Sequence, residues 1–461
     1  MTLPGDTGPM AHASLPQLRM AEVLGALSYA LDMTEGQPPG HCLRSCWIGM
    51  HVGAAMDLGP DELATLYYTL LLKDAGCSSN AARLWELYGG DDRLVKNDYK
   101  QVDSQSLVQL GHFVLRHAGA GEALRERFAR VLNLVRHGEG LATELVATRC
   151  ERGAQIARQL GFSTAVADGV HSLDEHWNGR GKPDGLQGER IPLNARIALL
   201  AQVVDVFHHA GGLNAALGEV RRRSGQWFDP GVVAAFERVA RDAVFWATLS
   251  DAGVANRVLE LEPRSDVLTV DEDRLDDIAE AFGQVVDAKS PYTYGHSARV
   301  AQLAGAVSAE LGLDEGRRRW LRRGALLHDV GKLGVSNGIL DKPGALDAQE
   351  WEQMRAHARY TEEILSRIGL FGELAQVAGA HHERLDGKGY PYGLTAERIS
   401  LETRVITVAD IFDAITAARP YRGPMPLPEA LRIMRSQRNV AIDGRCLDAL
   451  EAVVLGEQAR R

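Results

Sequence analysis

Apolar residues recur three and four positions apart along most of this chain, and no stretch of any length alternates apolar with polar. That period fits one face of an α-helix, whereas a half-buried strand shows a period of two. The first residues are small, polar and rich in Pro and Gly, and residues 1–17 are predicted to be disordered. From Leu18 the helical pattern sets in through Val23, Leu24, Leu27 and Leu31. A Pro-Pro-Gly break at Pro38 to Gly40 ends it, and another helical run starts with His41. Further helices are predicted over Asp61–Leu72, Gln105–His117, Glu122–Arg136, Leu141–Leu160 and Pro192–Phe207. Asp229, just ahead of Pro230, caps a last one through Val232 to Leu249. Residues 251–272 are less periodic and read as a linker, in which Val258-Leu259-Glu260-Leu261-Glu262 has the look of a short strand. Beyond it the helical pattern resumes through Leu275, Ile278, Ala281, Phe282 and Val285. The expected class is all-α, with helical bundles over residues 18–250 and 273–461.

Composition narrows the setting. Of 461 residues, 45% are apolar and 24% charged, as in an ordinary globular protein. A formal net charge of −10 argues against a DNA or RNA partner. The cysteines Cys42, Cys46, Cys77, Cys150 and Cys446 are scattered, with no C-x-x-C pair. That pattern argues against a disulfide framework and a cysteine zinc site and favours a reducing cytosol. No apolar run approaches the ~18 residues needed to span a bilayer, and no signal peptide opens the chain. The expectation is a soluble, cytoplasmic protein.

The candidate chemistry lies in the second half. His381-His382 leads into Glu383-Arg384-Leu385-Asp386-Gly387-Lys388-Gly389-Tyr390-Pro391, where glycines and a proline close off any helix. Adjacent side chains point about 100° apart on a helix, so two such rings meet one centre only at a helix end or loose turn. His296 follows Gly295, and His328-Asp329 follows the apolar Leu326-Leu327 near the Gly331 break. A buried Asp beside a His is costly unless paired or metal-bound. His357 sits in a charged helical stretch, and Asp410 ends the apolar run from Val405. Histidines with carboxylates suit Fe, Mn or similar divalent metals.

With these blocks in order, residues 273–455 resemble the HD-GYP family of phosphodiesterases, a branch of the HD metal-dependent phosphohydrolases. The matching blocks are Gly295–Val300, Leu326–Lys332, Lys342-Pro343-Gly344, His357, His381–Pro391 and Arg404–Arg422. The resemblance implies two divalent ions bridged by Asp329. One would take His296, His328 and Asp410, the other His357, His381 and His382. Tyr292 stands where some family members place a glutamate for a third ion, so a binuclear centre is expected. The resemblance also makes Asp329 and Lys332 catalytic, with Lys332 on a phosphate oxygen. Tyr390 would wall the nucleotide pocket, Arg419 and Arg422 would contact substrate, and Asp413 would support a ligand or Lys332. The implied reaction opens cyclic di-GMP to pGpG or on to GMP, with related cyclic dinucleotides as alternatives. The rival readings are a silent binding or scaffold protein in signalling, and an HD hydrolase of another nucleotide.

The first half then reads as a degenerate copy. Gly40-His41 echoes Gly295-His296, and Lys73-Asp74 falls at the spacing of His328-Asp329. Glu175-His176-Trp177-Asn178-Gly179-Arg180-Gly181-Lys182-Pro183 echoes the GYP block, after a longer middle segment. His41 and Asp74 persist, but Lys73 replaces an imidazole, Leu173-Asp174 replaces the double histidine, Gln202 replaces Asp410 and Lys182 the tyrosine. The Lys73 ammonium would repel a cation and pair with Asp74 instead. This half, a second HD-type bundle, is expected to be metal-free and non-catalytic. Ligand sensing, homodimer formation and docking on the active half or a signalling partner remain as roles among which the sequence does not choose.

Overall fold

The computed structural model of the protein describes residues 18–119, 123–263, 270–418 and 423–460. The segment expected to be disordered, residues 1–17, lies outside them, as do Arg419 and Arg422. Every regular element among the described residues is a helix, and β-type pairing is confined to isolated bridges. The class is all-α.

Local chemistry sets the helix starts around the site. Asp314 accepts from the Arg317 amide at the head of Glu315–Leu327. Ser400 does the same for Leu401–Thr416. Asp347 and Glu350 form a reciprocal capping box on Ala348–Leu365. Asp229 caps Pro230–Val239 as expected, but the last expected helix is broken, and Asp242 starts a separate Ala243–Leu249. The two helices expected over residues 122–160 are one, Leu124–Gln159, because Gly138 and Gly140 lie in open space and cost only propensity. The strand reading of Val258–Glu262 is wrong. Val254–Glu260 is a helix that buries Val254 and Val258, one turn apart, against His41–Ala55. Five residues are too few to tell period two from period 3.6.

The halves repeat one plan. His41–Ala55 packs between Pro60–Leu72 and Leu193–Arg223, as His296–Glu310 packs between Glu315–Leu327 and Leu401–Thr416. The bridges Asn178–Gln187 and Asp386–Thr395 close equivalent loops. The halves also pack reciprocally. Met20–Thr34 lies on the Val330–Gly334 turn and on Ala348–Leu365, while Glu272–Asp287 lies on Cys77–Asn80 and Leu124–Gln159. One hydrophobic core runs through both halves without a break. No helix among the described residues is long and apolar enough to cross a membrane.

Candidate metal centre

His296, His328, Asp329, His381 and His382 sit where a helix begins or ends, and His357 and Asp410 lie within the helices Ala348–Leu365 and Leu401–Thr416. Gly295 has φ 68°, a left-handed conformation that glycine adopts at little cost, and it starts the helix whose first residue is His296. His328 caps the end of Glu315–Leu327, and Asp329 leads into the Val330–Gly334 turn. A Cβ on Gly331 would lie 2.0 Å from the His357 carbonyl oxygen, so only glycine lets this turn rest on the His357 helix. Thr361 locks the two together, donating to the His328 carbonyl at 2.8 Å and accepting from the Gly331 amide at 3.0 Å. His381 and His382 follow the helix Gly372–Gly379, their rings 4.0 Å apart in the loose turn beyond it. Thr407 ties that turn down by donating to the His381 carbonyl at 2.7 Å.

These elements bring all seven expected ligands into one cluster. Three sets have ligand atoms within 4.8 Å of one another: His296, His328 and Asp410; His357, His381 and His382; and His328, Asp329 and His381. Asp329 lies between, with its two oxygens facing different ways. Oδ2 is 3.4 Å from Nε2 of His296 and 3.4 Å from that of His328. Oδ1 is 3.5 Å from Nε2 of His357 and 3.7 Å from that of His381. The outer ring nitrogens are already used. Nδ1 bonds Asp413 in His296 (2.7 Å), and backbone carbonyls in His328 (2.7 Å), His357 (2.5 Å) and His381 (2.6 Å). A ring that donates from Nδ1 carries its free lone pair on Nε2, which is how metal-binding histidines are oriented. Those four Nε2 atoms and Asp329 Oδ1 are buried without a well-formed hydrogen bond. Buried polar atoms this close-set are rare without a partner, and divalent cations fit the five histidines and two carboxylates.

The electrostatics favour positive charge here. Burial disfavours a charged His296 ring, yet Asp329, Asp410 and Asp413 around it outweigh that and raise its pKa well above the ordinary value. Burial pushes His357 down to about 4 and His382 to about 3, the latter helped by the His357 ring. Burial would raise the Asp329 carboxyl, but His328 and Lys332 hold it well below the usual carboxylate range. The result is neutral His357 and His382 rings beside an ionised Asp329, the protonation a cation requires, while His296 would give up its proton to a bound cation.

The flanking residues take definite places. Lys332, 16% exposed at its side chain, reaches Asp329 Oδ2 at 2.5 Å from the rim. Asp413 bonds His296 and also takes the Arg299 guanidinium at 2.6 Å, so its side chain faces a candidate ligand and not Lys332. The Tyr390 ring lies 4.7 Å from that of His382, half-buried on the centre's edge. Arg419 and Arg422 fall outside the described residues. Sequence reading left Glu383 without a role. It anchors the GYP loop by accepting from the Tyr392 amide at 2.6 Å and the Leu394 amide at 2.9 Å. Glu175 does the same in the first half, from the amides of Asp184, Gly185 and Leu186.

In the first half cationic side chains fill the equivalent place. Lys73 bonds Asp74, and its Nζ is 3.1 Å from His41 Nε2. His41 Nδ1 bonds Asp205 at 2.7 Å, copying His296 and Asp413. Lys100 adds a second ammonium, 3.0 Å from Glu35 and 3.6 Å from Asp74. Arg149 pairs with Asp174, which stands in the place of His382. Arg149 itself stands in that of His357: Gly76 rests on its carbonyl as Gly331 rests on that of His357. Burial would raise Asp74, but Lys100 and Lys73 hold it well below the usual range. Lys100, Glu35 and Arg149 were missed from the sequence, although Arg149 precedes Asp174 by the spacing of His357 and His382.

Comparison with known proteins places the chain among its relatives. The family model described as HD domain matches residues 129–232 and 280–446, one segment in each half. Over 432 residues, 94% of this chain and 94% of the relative, the chain is 52% identical to "3'3'-cGAMP-specific phosphodiesterase 3" of Vibrio cholerae. Over 202 residues, 43% of this chain and 53% of the relative, it is 38% identical to "Cyclic di-GMP phosphodiesterase response regulator RpfG" of Xanthomonas campestris. A crystal structure of a cyclic GMP-AMP specific phosphodiesterase of V. cholerae, V-cGAP3, matches with a TM-score of 0.67 at 47% identity, covering 95% of this chain and 98% of that one.

Proposed function

This chain belongs to the HD-domain family, in its HD-GYP branch, and from that premise we propose that its second half hydrolyses a cyclic dinucleotide, with 3'3'-cGAMP as substrate. The observation that carries the reading is the pair of Asp329 oxygens facing separate groups of histidines, each with free Nε2 atoms. His296, His328 and Asp410 would hold one divalent ion and His357, His381 and His382 the other, with Asp329 shared, and Fe or Mn suits the donors. Such ions supply Lewis acidity, lowering the pKa of water toward neutral and drawing charge from phosphate oxygens.

The chain's own residues do the rest. Asp413 and three backbone carbonyls fix the imidazole tautomers, so the Nε2 lone pairs stay aimed inward. Lys332, at the rim, turns its ammonium to a non-bridging phosphate oxygen and balances charge as phosphorus becomes five-coordinate. Tyr390 offers a ring face for a nucleobase beside the scissile phosphate. The buried ligands keep bulk water from the centre.

The substrate assignment leans on the relative that shares both halves and is named for 3'3'-cGAMP. Cyclic di-GMP is the second reading, supported by the relative named for it that matches over part of the chain. The complete ligand set speaks against a silent scaffold. The test is metal analysis of the purified protein, then product analysis with 3'3'-cGAMP, cyclic di-GMP and cyclic di-AMP in Mn or Fe(II). About two metals per chain and fastest opening of 3'3'-cGAMP are expected. Faster turnover of cyclic di-GMP selects the second reading, and no turnover of any of the three by metal-loaded protein refutes the enzyme.

A further inference from the structure

The longer middle segment of the first half has no part in the centre described above, yet it reaches the working half. Its helix Asp92–Tyr99 opens on a fully buried Asp92. One Asp92 oxygen accepts from the Asn337 amide at 2.8 Å and the Ser336 hydroxyl at 3.2 Å, and the other faces Lys289 Nζ at 3.6 Å. Arg93, steadied by Asp91 at 2.9 Å, donates to the Gly334 carbonyl at 2.5 Å. Gly334 ends the turn that carries Lys332. The far end of the same helix serves the silent site. Lys96 donates to the carbonyls of Thr34 and Cys77 at 3.1 and 2.9 Å, and Lys100 pairs with Glu35 and Asp74.

We propose that Arg93, with Asp92 behind it, is a positioning residue for catalysis: it holds the 330–337 segment so that Lys332 stands over the metal ligands. This rests on the reading of Lys332 as the phosphate contact. A charged donor on a carbonyl gives a short, directional bond at the end of an irregular turn. Displacing a reacting group by about 1 Å can cost on the order of a hundredfold in rate. The silent half thereby supplies a part the working half lacks, and Asp92 and Arg93 open the short helix whose C-cap, Lys100, enters the filled-in centre.

Steady-state kinetics of the full, metal-loaded chain test this. Arg93→Ala is expected to lower kcat roughly tenfold or more with KM and metal content unchanged. Arg93→Lys, which keeps a donor, should recover most of the loss. In a Lys332→Ala background Arg93→Ala should change kcat by less than about twofold, because the group it positions is gone. Should Arg93→Ala fail to fold, Arg93→Met keeps the stem's packing and enters the same cycle. Losses that multiply in the double variant, or metal content that falls in parallel with kcat, would make the contact structural and overturn the proposal alone. Full turnover by Lys332→Ala on its own overturns both the proposal and the phosphate role of Lys332.

Discussion

Asp329 and Asp413 are both buried aspartates beside histidine, and their positions assign them different work. Asp329 faces inward to two groups of Nε2 atoms, whereas Asp413 stands behind His296 and bonds its Nδ1 and Arg299. Asp329→Ala should therefore strip the centre, taking metal content from about two per chain toward zero and turnover with it. Asp413→Ala removes only the orienting partner, so metal affinity should fall roughly 10- to 100-fold and excess metal should restore much of the rate. Chelator competition on both variants separates the two; equal behaviour would contradict the division of roles. Most of the candidate cluster was legible in the sequence because its members end an apolar run or abut a glycine break, whereas His357, inside a charged helical stretch, was legible only through the family resemblance. The first half's ionic centre was half legible. Lys73 and Asp74 lie in a motif, but Lys100, Glu35 and Arg149 come from three separate elements and meet only in the fold.

At the scale of elements, the turn after Asp329 is the most constrained piece of backbone in the site. Gly331→Ala drives a Cβ to 2.0 Å from the His357 carbonyl, and backbone on both sides leaves no flexible side chain to yield. The turn must lift from the His357 helix, costing about 1–3 kcal/mol and spreading Asp329 from His357. A lower melting temperature together with lost metal is the expected outcome. The first half's ionic centre predicts an acid response. Burial would raise Glu35, but Lys100 and Lys96 hold it down to about 2 from an ordinary 4.5. A depressed carboxyl lends stability that is complete above its unfolded value and is lost as pH falls through its folded value. Stability should thus decline from about pH 4.5 toward about pH 2, and Glu35→Gln should flatten that limb in denaturant melts. Helix existence was legible throughout from periodicity, but boundaries were not. The break expected between Arg136 and Leu141 is absent, and the open space around Gly138 and Gly140 lets Leu124–Gln159 run on.

At the scale of the molecule, the sequence shows two copies of one plan and says nothing of how they meet. The meeting is intimate: each half's leading helix lies on the other's metal-motif turn or its relic, and the core is continuous across both. Asp92, Lys289, Ser336 and Asn337 add buried polar contacts whose partners sit in opposite halves. Separating the halves would expose that core and leave a carboxylate and an ammonium buried or newly hydrated without each other. A core that is continuous across both halves couples their unfolding. The chain should therefore unfold in one calorimetric transition, not two, despite its doubled sequence. Stripping the metals should shift that single transition downward, since ligands bound only by the folded state stabilise whatever unfolds with their site. The first half should lose its helical circular dichroism in step with the second, although its own centre is built from lysines and carboxylates that no chelator removes. A first-half signal that stays at its original melting temperature after chelation would show that the two copies fold as independent domains.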